Sequence, residues 1–129
     1  MPATALLNRY KEDSIVTAPR EKLLLMLYDG ALTNLKIAST CLEKNNRAGF
    51  GIHIGRGQAI IAELLNGLDH DVGREVTRNL EKLYLYIIDR LVKANLSSAG
   101  QGVKDSVRIL ETLREGWTDA IRQTSGQDA

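Results

Sequence analysis

The residues best equipped for metal chemistry stand together in Asp69-His70-Asp71. They fall between two amphipathic stretches, in a segment expected to be a loop. There, Asp side chains bond their own backbone and shape turns, so the triplet reads as turn and capping chemistry rather than a metal clamp. His53 and His70 are the only histidines. A di-iron bundle needs Glu-x-x-His pairs projecting inward from two helices, but Phe50 and Gly67 stand three residues before these histidines. Zinc needs Cys and His at usable spacing, and Cys41 is the only cysteine. Cys41 falls within a helical pattern with no partner motif for nucleophilic catalysis, so it reads as a small, half-buried hydrophobe. Gly55 and Gly57 are followed by no Gly-Lys-Ser/Thr and preceded by no strand, which excludes a phosphate-binding loop. The sequence thus predicts no enzyme, no metal and no cofactor.

What remains is the chemistry of burial. Leu23-Leu24-Leu25-Met26-Leu27-Tyr28 is an unbroken apolar or amphipathic run, repeated in kind by Leu83-Tyr84-Leu85-Tyr86-Ile87-Ile88. At about 3.6 residues per turn each run covers the whole circumference of a helix. A helix that is apolar all round is either buried all round or has a second partner. Two readings stay open: wide internal faces within a bundle, or a groove that accepts an amphipathic segment of another protein. Methionine adapts its shape and tyrosine joins an apolar body to a polar tip, which suits Met26, Tyr28, Tyr84 and Tyr86 to such a groove. Asp29-Gly30, directly after the first run, is a poor mid-helix pair. It calls for either a local packing reason or a solvated face.

Four elements must position these residues. The first runs from about Pro19 to Asn45, with Leu24, Tyr28, Ala31, Leu35, Ala38 and Leu42 at three- and four-residue steps, and Asn45, Asn46 and Gly49 form its stop signal. The second, about Phe50 to Leu68, carries Ile54, Ile61, Leu64, Leu65 and Leu68, and its glycines make it the weakest helix. The third, about Gly73 to Asn95, has Val76, Leu80, Leu83, Ile87, Leu91 and Ala94, with Asp71 as candidate N-cap. The fourth, about Gly102 to Thr124, has Val103, Val107, Leu110, Leu113, Trp117 and Ala120. Short connections favour antiparallel neighbours, so the fold class is all-α, an up-down-up-down four-helix bundle. Residues 1–16 form an N-terminal arm, either a short helix or an extended segment. Residues 17–124 form the bundle, and 125–129 a loose tail.

The 129 residues carry 17 basic and 16 acidic side chains, a net charge of +1. A nucleic-acid binder depends on a basic excess to neutralise phosphate, so nucleic acid is not an expected partner. A single cysteine, no signal-peptide pattern and no apolar run of about 20 residues point to a cytoplasmic chain without membrane insertion.

Tyr10, Ser14 to Ala18 and, above all, the Glu21 to Ala31 block resemble the N-terminal signature of the FliS family of flagellar export chaperones. The resemblance continues at Asn79-Leu80, Leu83-Tyr84, Tyr86, Arg90-Leu91, Ala94-Asn95 and Trp117. It implies a client, the C-terminal region of flagellin, held in an apolar groove so that it neither polymerises early nor loses competence for type III secretion. It also implies that the arm, through Leu7, Tyr10 and Ile15, covers part of that groove when the client is absent, and that the loaded chaperone meets the export gate of the secretion apparatus. Within this reading the expected groove residues are Leu25, Met26, Tyr28, Leu32, Leu83, Tyr84, Ile87 and Leu91. The competing reading is a self-associating structural or adaptor bundle, a homodimer built on the same apolar faces.

Overall fold

Pro19 falls in the first turn of α1 (Ala18–Glu43), where its missing N–H has no helical acceptor to lose. The computed structural model describes residues 18–127, and the expected arm and its residues Leu7, Tyr10 and Ile15 lie outside them. Three further helices follow: α2 (Arg47–Asn66), α3 (Arg74–Ser97) and α4 (Gln101–Gln127). The last continues past the expected boundary at Thr124.

Each junction has its own local cause. Asn45 adopts a left-handed conformation at φ 58°, letting the Asn46 N–H reach back 2.8 Å to the Cys41 carbonyl and close α1. Asn46 then caps α2, its side-chain oxygen accepting from the Gly49 N–H at 2.9 Å. Such a cap is worth about 1 kcal/mol. The second helix therefore starts earlier than Phe50, and the expected stop signal serves as a start. Before α3 the cap is Gly73, in the left-handed region at φ 52°, not Asp71. The Asp71 N–H donates to the Asp69 carboxylate at 3.0 Å, so the Asp69 side chain serves the turn itself. Thr77 adds a 2.7 Å bond from its hydroxyl to the Val72 carbonyl. Ser98, also left-handed, ends α3, and the Ala99 N–H bonds the Ala94 carbonyl.

The four helices form a ring. α1 packs against α2 and α4, and α3 packs against the same two, so α1 and α3 are diagonal partners. The α1–α2 interface is the most extensive. Glycine explains its closeness: a Cβ on Gly57 would lie 2.8 Å from Leu35 Cδ2, and one on Gly30 would lie 3.2 Å from Ile60 Cδ1. Gly30 thus has a packing reason. Asp29 has an electrostatic one, an ion pair with Arg114 of α4 at 2.5 Å.

The core stripes follow the expected periods, with Leu35, Ala38, Ile54, Ile61, Ile87, Leu91, Val103 and Leu110 fully enclosed. Each large aliphatic side chain buried in this way stabilises the fold by roughly 1.5–3 kcal/mol. Between α3 and α4, Arg90 donates to Asp105 at 2.6 Å and Gln101 donates to the other carboxylate oxygen at 2.9 Å. These hydrogen bonds, Gln101's first, hold the Asp105 carboxyl below the usual range. No helix among the described residues is long and apolar enough to cross a membrane.

Candidate binding surface

The two apolar runs share the diagonal of the ring, and their tyrosines meet across it. Tyr28 and Tyr84 place their hydroxyls 2.5 Å apart in the core, and Trp117 of α4 donates its indole N–H to the Tyr28 hydroxyl at 3.1 Å. Burial outweighs both hydrogen bonds and pushes the Tyr28 phenol up to about 12. A buried hydroxyl without a partner would cost about 1–3 kcal/mol, so the mutual bonding of these groups is what lets two tyrosines occupy the centre of an apolar bundle.

This geometry sorts the eight expected groove residues. Tyr28, Leu32, Tyr84, Ile87 and Leu91 are enclosed in the core. They cannot also offer surface in this conformation, because each fills space between helices. Leu25 and Leu83 are half-buried against the core, and Met26 is 58% exposed. A single groove between α1 and α3 does not form, because α2 and α4 stand between them.

Exposed apolar surface gathers instead on either side of α2. On α1, Leu23, Met26 and Ile37 lie on the outer face next to Gly30. On α3, Leu85, Val92 and Leu96 recur at seven- and four-residue spacing, which places them on one line of the helix. Leu96 is 85% exposed and Leu85 50%. Ile88, packed partly against the core, sits beside that line.

The neighbouring wall belongs to α2. Gly51, Gly55, Gln58 and Ala62 share one side of the helix at three- and four-residue steps, with Gln58 the one large side chain among them. A Cβ on Gly51 would lie 3.3 Å from Asn95 of α3, which fixes one end of the pairing. At Gly55 a Cβ would meet nothing within 4 Å, so this glycine opens space rather than admitting a neighbour. At the other end Leu65, Asn66 and Leu68 join His70, Glu81 and Leu85 around a cavity of about 320 Å³. The result is a shallow trough between the apolar line on α3 and an α2 wall of small residues interrupted by Gln58.

The α1–α4 side of the ring has another character. Its depression of about 670 Å³ is lined mainly by charged residues and threonines. Asp29–Arg114 and Lys36–Glu111 cross it as ion pairs. Apolar recognition therefore belongs to the α2 flanks.

Sequence reasoning missed Leu85, Val92, Leu96 and Gly55. The signal was present as a second line on α3, one helical face away from the core stripe.

The family model described as "Flagellar protein FliS" matches residues 3–124. The chain belongs to the FliS family. It is 32% identical to the flagellar secretion chaperone FliS of Salmonella typhimurium (strain LT2) over 119 residues, covering 92% of this chain and 88% of that one. Against the protein of the same name from Escherichia coli (strain K12), identity is 30% over 115 residues, 88% and 85% of the two chains. The flagellar secretion chaperone FliSB of Pseudomonas aeruginosa PAO1 matches at 32% over 121 residues, 91% and 96% of the two. The matched span includes all of α1, α2 and α3 and most of α4 of this FliS-family bundle.

Proposed function

We propose that this chain is a cytoplasmic flagellar export chaperone that masks the C-terminal segment of unassembled flagellin, and that the α2–α3 trough is its principal docking surface. The observation that carries the proposal is the exposed line Leu85–Val92–Leu96 on α3, together with the open space around Gly55 on the neighbouring α2. Covering the exposed parts of those three side chains is worth roughly 3–5 kcal/mol, at about 1.5–3 kcal/mol for each fully buried apolar side chain. An amphipathic segment that orders on binding must offset its lost entropy with such contacts. Leu23 and Met26 on α1 give a second apolar surface on the other flank of α2. Leu7, Tyr10 and Ile15 precede α1 directly, and in this reading they shield apolar surface until the client arrives. The loaded complex is then what the export gate receives.

Mixing the full chain with a flagellin C-terminal fragment tests the proposal. A complex containing one chain and one fragment is expected. A tight dimer indifferent to the fragment would replace this reading with self-association. Gly55→Leu adds a side chain where space is open, so it should leave the fold intact and weaken fragment binding at least tenfold. Leu96→Asp should do the same. Unchanged affinity in both variants would remove the trough from the proposal. Deleting residues 1–16 should raise binding of an apolar dye, and an unaltered signal would count against a covering arm.

A further inference from the structure

Asn66-Gly67 is the only asparagine–glycine pair in the chain. Such a pair carries a reaction of its own. The backbone nitrogen of the second residue can attack the asparagine side-chain carbonyl carbon, and glycine, having no Cβ, leaves that approach open. Asn66 ends α2 and is exposed, and its amide side chain makes no hydrogen bond among the described residues. One bond holds the attacking group back: the Gly67 N–H donates to the Glu63 carbonyl at 3.0 Å. No further helical turn follows, so releasing it frays one end rather than breaking the helix. Asn34, Asn79 and Asn95 lie inside helices, and each is followed by a leucine. Asp29-Gly30 lies in the interior of α1, with its carboxylate paired to Arg114.

Neither conformation nor packing calls for glycine at position 67. A glycine closing a helix commonly supplies left-handed backbone, but Gly67 has φ −82°. An added Cβ would meet the Glu63 carbonyl oxygen at 3.4 Å, an ordinary contact. We propose that Asn66-Gly67 is a self-modifying site, at which water alone converts the amide to a carboxylate and so records the age of the folded chain. In the first step a bond forms from Gly67 N to Asn66 Cγ and the Cγ–Nδ2 bond breaks. The side-chain nitrogen leaves as ammonia, taking the Gly67 amide proton. In the second step water adds to one of the two carbonyl carbons of the ring. Breaking the bond between Gly67 N and Cγ yields aspartate at position 66, and breaking the bond between Gly67 N and the Asn66 backbone carbonyl carbon yields isoaspartate. No electron is transferred and no co-reactant but water is consumed.

Either product puts a negative charge at the C-terminal end of α2, where the helix dipole is already negative. It also lies around the same hollow as Glu81. The isoaspartate lengthens the backbone by one atom as well. Conversion therefore loosens this end of the α2–α3 trough.

The full chain is aged in buffer at neutral and mildly alkaline pH and mapped by peptide mass spectrometry, with isoaspartate counted by isoaspartyl methyltransferase labelling. Asn66 should convert at least tenfold faster than Asn34, Asn79 or Asn95, and faster as pH rises, because the attacking nitrogen must lose its proton. Gly67→Ala should slow the conversion at least tenfold with the fold retained by circular dichroism. A rate at Asn66 no higher than at the other three, a rate untouched by Gly67→Ala, or conversion only in urea would each overturn the assignment. The last would show that the Glu63 bond seals the site while the chain is folded. Asn66→Asp, which stands in for one product, should lower the melting temperature, and an unlowered value would overturn the loosening of the trough.

Discussion

Tyr28 shows how a single side chain can set a limit for the whole fold. Its phenol is held at about 12, against an ordinary value of 10.0, because ionisation inside the core has no water to support it. Below pH 10 the hydroxyl is protonated in folded and unfolded chains alike, and its contribution is fully present. As pH rises from 10 toward 12 the unfolded chain releases the proton first, so stability falls through that window. At about 1.4 kcal/mol per tenfold change, the loss approaches 3 kcal/mol. Urea unfolding measured at several pH values should show this decline in the native chain. Tyr28→Phe removes the hydroxyl that joins Tyr84 and Trp117 and should cost about 1–3 kcal/mol at neutral pH. The variant should also lose the Tyr28 part of the alkaline slope. An equal slope in both chains would show that the titration lies elsewhere.

At the scale of the element, glycines on helices play opposite parts, and substitution by alanine should separate them. Gly55 faces open space, so Gly55→Ala should gain about 0.5–1 kcal/mol from helix propensity alone. Gly102 faces backbone: its Cβ would stand 3.0 Å from the Arg90 carbonyl oxygen and 3.3 Å from Ala94 Cβ. Gly102→Ala should therefore lose about 1–3 kcal/mol by overpacking the α3–α4 contact. Thermal denaturation of the two variants gives the signs directly. Much of this scale was legible beforehand. Val76, Leu80, Ile87, Leu91 and Ala94 were read correctly as one stripe because a 3.6-residue period projects them onto one face. The junctions were less legible: Asn46 was read as the end of one helix when its side chain begins the next. The stripe was also misread by one place at Tyr84, which is buried while Leu83 is not. Pattern favours leucine for the core, and the hydrogen-bonded partners that admit a tyrosine come from other helices.

At the scale of the whole molecule, the ring order decides what surface exists. Two apolar runs on neighbouring helices would have formed a groove between them. On diagonal helices the same runs spend their inner halves on each other and turn their outer halves to opposite flanks of α2. No single-helix pattern contains that information, so the sequence names Met26 as a groove residue without showing which flank of the ring it serves. A client that binds the folded ring and not the unfolded chain must raise its melting temperature. With flagellin fragment at 100 times its dissociation constant, the added stability is about 2.7 kcal/mol. For a domain of this size that corresponds to an upward shift of roughly 8–11 °C. An unshifted melting curve at saturation would mean that the fragment binds unfolded chain equally well, contrary to a surface formed by folding.

Trp117 is the chain's one indole and sits buried beside Tyr28, on the α1–α4 half of the bundle. Its emission is therefore a built-in gauge of core integrity, sealed from water while the helices hold together and shifted to the red when they part. Because the α2–α3 trough lies across the molecule, cargo carrying no tryptophan of its own can load and unload with that colour unchanged. One fluorescence trace can thus tell a chaperone that has lost its grip from one that has lost its shape.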